Sequence, residues 1–270
     1  NSPYAVLDRK EILEVLFYPR KELHEPARHP NYSEILIPVD DSVSVGARLY
    51  TAGESAPILL FFHGNGEIVA DYDELAMVYR QMGIGFLPVD YRGYGKSSGK
   101  PTVSAMMRDA NSVFEFIRSY LNRRKHTGPL YIMGRSLGSA SALEIASKYT
   151  EFIKGLIIES GFARINPLLQ IMGVDTGSLG LNDASAPDNI GRMKLYTKPL
   201  LIIHAEKDHI IPFSDGVELF NACVSAKKYF LEIKEANHNT IFQYGLSEYR
   251  QKSLTAYGLL CAKLWVYQAQ

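Results

Sequence analysis

The stretch Leu130-Tyr-Ile-Met-Gly-Arg-Ser-Leu-Gly-Ser-Ala-Ser-Ala-Leu-Glu-Ile-Ala-Ser-Lys148 decides how the rest of the chain is read. Residues 130–133 form a short continuous apolar run, the pattern of a strand buried on both faces. Residues 137–148 are rich in Ala and Ser and have helical spacing. Between them stands Gly134-Arg-Ser-Leu-Gly138. A serine with glycines two residues to either side fits a tight strand-to-helix turn that side chains at those positions would crowd. Such a turn lifts the Ser136 hydroxyl above the sheet edge, beside the amino end of the next helix. Free N–H groups and the helix dipole there favour a developing negative charge. For the pentapeptide alone an ordinary turn is an equal reading; its place between an apolar strand and a helix argues for the reactive one.

The same alternation extends in both directions. Strands are predicted over residues 57–62, 85–90, 153–158, 199–204 and 229–233. Helices are predicted over 72–82, with Leu75, Ala76, Tyr79 and Met82 on one face, and over 103–122, 214–223 and about 246–265. Continuous Val/Ile/Leu strands alternating with amphipathic helices imply a parallel sheet covered on both faces. The opening differs: 32–39 and 45–50 are two strands with only Asp40-Asp41-Ser42 near their junction, an antiparallel lead-in. The expectation is one α/β domain spanning 1–270, with about eight strands and about five crossover helices. Residues 161–198 interrupt the pattern. Phe162, Ile165, Leu168, Leu169, Ile171 and Met172 suggest a short amphipathic helix, and 173–189 is dense in Gly, Asp, Asn, Ser and Pro. A loop that long within a compact domain reads as a small lid-like insert.

Composition closes several doors. Lys plus Arg total 29 and Asp plus Glu total 29, so the net charge is zero and no long-range field gathers nucleic acid or an anionic membrane. Arg123-Arg124-Lys125 reads as a solvated helix end. No apolar run approaches the roughly 20 residues of a transmembrane segment, and the first residues carry no charged-then-apolar leader. The two cysteines, Cys223 and Cys261, make no disulfide framework; buried thiols and a reducing, cytoplasmic compartment are expected. The sequence carries no signature of oligomeric state.

In open parallel sheets ligands bind at the carboxyl ends of the strands. There the sequence places His63-Gly64-Asn65-Gly66, Asp90-Tyr-Arg-Gly-Tyr-Gly95, Ser136, Glu159-Ser160, Ala205-Glu206-Lys207-Asp208 and Ala236-Asn237-His238-Asn239. A nucleophilic serine needs a base, and the base an orienting acid. His238 follows the last strand by a few residues. Asp208 precedes His209-Ile-Ile-Pro212 and has the alternative reading of a helix cap. Glu159, one strand nearer to Ser136, is the other candidate acid.

These landmarks, with their order Ser136, Asp208, His238, resemble the α/β-hydrolase superfamily over nearly the whole chain. Within it the chain is most similar to compact serine esterases and thioesterases of the Bem46-like and serine-aminopeptidase-like branches. The resemblance implies the α/β-hydrolase fold, an eight-stranded, mostly parallel sheet with one antiparallel strand near its start. It implies Ser136 as nucleophile, His238 as general base, Asp208 as orienting acid, and the backbone N–H groups of Leu137 and Asn65 as oxyanion donors. It implies neither cofactor nor metal. Two departures stand out: the loop after the third strand reads His-Gly-Asn-Gly-Glu rather than a triple glycine, and Ala205 occupies a position where many relatives carry glycine.

Other motifs fail. Gly95-Lys96-Ser97 has Asp90 where a phosphate loop needs glycine, and Gly83-Ile-Gly85 reaches Pro88 where a dinucleotide fingerprint needs its third glycine. Neither His-Glu-x-x-His nor paired Cys-x-x-Cys occurs. Asp90, Arg92 and Tyr94 read as loop braces. The expected activity is hydrolysis of an ester or thioester of a small to medium acyl substrate, with Phe162, Ile165 and Leu169 of the insert bordering the acyl pocket. The alternatives are a peptidase or amidase of the same fold, or a ligand-binding protein that has lost turnover.

Overall fold

Every residue of β3 (Ile58–Phe62), β4 (Gly85–Val89), β5 (Leu130–Arg135), β6 (Gly155–Glu159) and β7 (Leu200–Ala205) is buried. That is the physical content of their unbroken apolar runs: a strand covered on both faces has no side to give to water. In the computed structural model, which describes residues 2–23, 32–181 and 188–245, they are the centre of one sheet. Two edge strands, β1 (Tyr32–Asp40) and β8 (Lys228–Ile233), and β2 (Val43–Tyr50) complete it. The order is β1-β2-β4-β3-β5-β6-β7-β8. Strand β2 runs antiparallel to both its neighbours, and every pairing from β4 to β8 is parallel. At the β1 edge the burial alternates residue by residue, with Ile35, Ile37 and Val39 inward and Glu34, Leu36 and Pro38 outward. Pro38 lacks an N–H, which a strand tolerates at an edge.

Alternation along the central strands divides the core in two. Leu60, Phe62, Ile132, Ile158 and Ile202 face one layer, together with buried residues of α3 (Val103–Arg123) and α4 (Gly138–Lys148). Leu59, Phe61, Met133, Ile157 and Ile203 face the other, against Ala76 and Tyr79 of α2 (Asp73–Gln81). The Thr102 hydroxyl caps α3 by accepting the Ala105 N–H at 3.0 Å.

The expected insert contains two short helices, α5 (Ile165–Ile171) and α6 (Asn189–Leu195), the second extending beyond the loop read from composition. Asp188 caps α6 through the Gly191 N–H, and Arg192 docks it on α4 through Glu144 at 2.6 Å. Helix α7 (Phe213–Ala222) follows β7. Two features precede the sheet that the apolar pattern did not announce: a 3-10 turn over Ala5–Leu7 and a helix over Lys10–Leu16. Among the described residues no helix is long and apolar enough to cross a membrane, and Cys223 is a buried thiol. The helix expected over 246–265, and Cys261 with it, lie outside the described residues.

Backbones meet closely between β3 and the start of α4. A Cβ added to Gly138 would lie 2.1 Å from the Phe62 carbonyl oxygen, and one added to Gly134 would lie 2.4 Å from the Gly138 carbonyl oxygen. Both neighbours are main chain of buried elements and cannot step aside. Gly138→Ala is therefore expected to lower the unfolding free energy by about 1–3 kcal/mol. Urea unfolding checks this; unchanged stability would contradict the close packing.

Candidate active site

Ser136 sits between β5 and α4 with φ of +51°, in the left-handed region that residues other than glycine rarely enter. Such a conformation costs on the order of 1–3 kcal/mol and persists where its surroundings over-determine it. Here they do. The Ser136 N–H donates to the Glu159 carbonyl at 2.9 Å. Its own carbonyl accepts from the Ser139 N–H at 3.0 Å and the Ser139 hydroxyl at 2.6 Å.

His238 and Asp208, 30 residues apart, meet at the same edge. The His238 Nδ1 lies 2.8 and 3.0 Å from the two Asp208 carboxylate oxygens. With Nδ1–H donating to the carboxylate, the Nε2 lone pair is left for another proton. Asp208 also accepts the N–H groups of Ile210 and Ile211 at 3.0 and 2.9 Å. Burial pushes its carboxyl upward, but the His238 hydrogen bond and charge and the two backbone donors outweigh this and hold it at about 2. Ala205, where the resemblance expects glycine, is fully buried, and its carbonyl accepts the Asp208 N–H at 3.3 Å. His204 braces the loop, its Nε2–H donating to the Ile211 carbonyl at 3.0 Å. Burial lowers its pKa.

Glu159, the other candidate acid, accepts from Arg135 Nη1 at 2.8 Å; the Nδ1 position of His238 is taken by Asp208. Arg135 also donates from Nε to Glu67 at 2.9 Å and from Nη2 to the His238 carbonyl at 2.9 Å. Glu67 in turn accepts the Gly64 N–H at 2.6 Å and the Tyr72 hydroxyl at 2.5 Å. Burial raises the Glu67 carboxyl, and Arg135 with Tyr72 overcomes that and lowers it below the usual carboxylate range. The departure from a triple glycine in this loop thus has a partner: the carboxylate at its end pins the loop from inside.

The braces expected from Asp90, Arg92 and Tyr94 are present. Asp90 accepts the Val69 N–H at 2.9 Å, Arg92 pairs with Asp109, and the Tyr94 hydroxyl donates to Asn65 Oδ1 at 2.8 Å. The same Asn65 oxygen accepts the Tyr18 N–H at 2.8 Å. The backbone N–H groups of Asn65 and Leu137 donate to no acceptor among the described residues.

Ser136, His238, Asn65 and Leu137 border a single cavity of about 220 Å³. Its apolar wall comes from Leu16 and Tyr18 before the sheet, Leu168 and Met172 of the insert, and Ile210 and Ile211 of the acid loop. The expected pocket residues are corrected here: Phe162, Ile165 and Leu169 do not border the cavity but lie 0–3% exposed in the core. Residues 165 and 169 share the helix face that packs inward, whereas 168 and 172 share the next face round, toward Ser136. Arg135, Glu67, Leu16 and Tyr18 were not read from the sequence as part of the site. Only Glu67 carried a signal, as a charge ending a glycine-rich loop.

Residues 53–181 match the family model described as serine aminopeptidase, S33. The chain is 30% identical over 216 residues to protein bem46 of Schizosaccharomyces pombe, an alignment covering 77% of this chain and 71% of that one. It is 35% identical over 190 residues to the lysophosphatidylserine lipase ABHD12 of Xenopus tropicalis, covering 64% of this chain and 48% of the lipase. The chain thus spans about half the length of that lipase. Among solved structures, the esterase Pf2001 of Pyrococcus furiosus superposes with a TM-score of 0.71 at 16% identity, covering 88% of this chain and 97% of the esterase. Est1E of Butyrivibrio proteoclasticus superposes at 0.64 and 16% identity, covering 84% and 99%; the match is one of fold. The sheet order, the elbow at Ser136 and these relatives agree: the chain belongs to the α/β-hydrolase superfamily, as a Bem46-like hydrolase.

Proposed function

We propose that the protein is a serine hydrolase that cleaves an ester or thioester of a small to medium acyl substrate through an acyl-serine intermediate. The observation that carries this reading is the cavity shared by Ser136, His238 and two N–H groups with no acceptor among the described residues. In the proposed reaction His238 Nε2 takes the Ser136 proton as the oxygen attacks the carbonyl. The tetrahedral oxyanion rests on the N–H groups of Leu137 and Asn65, each worth about 3 kcal/mol of barrier. His238 then protonates the leaving alcohol or thiol, and water activated by the same imidazole releases the acid. Asp208, ionised because of its three donors, holds the ring and stabilises the imidazolium.

The apolar wall suits an acyl chain, and the names of the relatives, a lipase and esterases, support a carboxylic ester. An aminopeptidase needs an acidic group to receive a free amine. Among the described residues bordering the cavity the only carboxylate is Glu67, already engaged by Gly64, Tyr72 and Arg135. Residues 161–198 are proposed as the lid of this single domain, in contact with substrate through Leu168 and Met172.

Turnover of p-nitrophenyl butyrate tests the proposal: activity is expected in the native protein and a loss of at least about 10³-fold in Ser136→Ala. Equal rates in both would remove Ser136 from the reaction. Asp208→Asn, with the fold intact by circular dichroism, is expected to lower kcat on the order of 10³–10⁴-fold, and Glu159→Gln far less. A larger loss at Glu159 would reverse the acid assignment. Because the Asp208 carboxyl is held at about 2, it stays ionised while activity falls on acidification. A general base that must be unprotonated makes kcat/KM fall on acidification; a flat profile from about pH 5 to pH 9 would exclude His238 as the base. For the pocket, Leu168→Ala and Met172→Ala should raise KM for octanoate more than for acetate esters, and Ile165→Ala should not. An equal rise for both esters would separate Leu168 and Met172 from the acyl group.

A further inference from the structure

The residue before the nucleophile carries three charge-assisted bonds at this edge. Arg135 is buried, its side chain 8% exposed, and its three donor nitrogens go to three different elements. Nε reaches Glu67 after β3, Nη1 reaches Glu159 at the end of β6, and Nη2 reaches the main-chain carbonyl of His238 after β8, at 2.8–2.9 Å. We propose that Arg135 is a positioning residue of this site: its guanidinium ties the Asn65 loop and the His238 loop to the backbone that carries Ser136. This rests on the serine-hydrolase reading above.

Three features support it. His238 is held by two separate bonds, the ring by Asp208 and the main chain by Arg135. Asp208 orients the ring about its own axis, whereas the carbonyl bond sets where the ring's attachment point lies relative to Ser136. On the other arm, Glu67 passes the constraint to the Gly64 N–H at 2.6 Å, one residue before the proposed oxyanion donor Asn65. A lysine ammonium is a point donor and cannot reproduce the planar fork that serves three acceptors lying in different directions. Finally, a buried ion pair contributes little net stability over apolar residues of the same volume. What such a group supplies at a junction of three loops is geometry.

Arg135→Lys keeps the charge and loses the fork, so it is the decisive variant. With the fold intact by circular dichroism, kcat for p-nitrophenyl butyrate is expected to fall about 10–100-fold while KM changes by less than about threefold, the signature of misplaced catalytic groups rather than lost binding. A brace serving stability alone would lower Tm and leave kcat per folded molecule unchanged. A folded Arg135→Lys with kcat within about twofold of native would overturn the inference. If Arg135→Lys does not fold, Glu67→Gln decides: it keeps side-chain volume but weakens the arm to the Asn65 loop, and a kcat loss of about tenfold with little change in KM is expected. A native kcat in that variant would equally overturn the inference. The two readings separate cleanly. A native protein without Ser136-dependent turnover defeats the hydrolase reading and this inference with it, whereas active native enzyme beside an equally active Arg135→Lys defeats the inference alone.

Discussion

The turn between β5 and α4 has no room for a side chain at either end, because a Cβ at Gly134 or Gly138 would fall within 2.1–2.4 Å of main-chain oxygens. With the backbone this close, the chain leaves the strand, passes through one left-handed residue and enters the helix at once. Ser136 is that residue. Its N–H is spoken for by the neighbouring strand and its carbonyl by the first turn of the helix, so the strained conformation has no alternative partner to relax toward. The hydroxyl is left at the carboxyl edge of a sheet whose central strands are all buried. The other loops of that edge, after β3, β7 and β8, then have a fixed reference around which to assemble.

Assembly at a buried edge requires every charge there to be answered. Asp208 receives three donors, Glu67 receives three, and Arg135 has an acceptor on each nitrogen. These links are charge-assisted and short, the kind that hold geometry in a low-dielectric interior. They also bridge long sequence distances, so loops that are independent along the chain become one unit around the cavity. The apolar half of the cavity has a different origin: side chains before the sheet and within the insert close over it, Leu16 and Tyr18 from one side and Leu168 and Met172 from the other.

Much of this is legible in the sequence. Residues 58–62, 130–133 and 200–204 are legible as buried strands because burial on both faces leaves an unbroken apolar run. Ser136, Asp208 and His238 are legible because each follows a strand in a distinctive local context. The structure brings His238 onto Asp208 rather than Glu159, as the chain order suggested. What could not be read is which charges find each other. Arg135 and Glu67 are 68 residues apart, and nothing local marks them as a pair. The misplaced pocket residues have a related cause. Ile165, Leu168, Leu169, Ile171 and Met172 make the short insert helix apolar on most of its circumference, so periodicity shows a helix but does not say which face meets the core. Only the packing of Ile165 and Leu169 inward, with Leu168 left at the cavity, settles that. The segment before β1 was silent because its role, bracing Asn65 through the Tyr18 main chain, uses no diagnostic side chain.

The proposed chemistry requires Ser136 to be a nucleophile made reactive by His238. The most direct measurement is intact-protein mass spectrometry after exposure to a fluorophosphonate, with peptide mapping of the adduct. One adduct per chain is expected, located on Ser136, formed rapidly by the native protein and at least about 10²-fold more slowly by a folded His238→Ala variant. An adduct on another residue, or labelling of Ser136 at the same rate without His238, would contradict it.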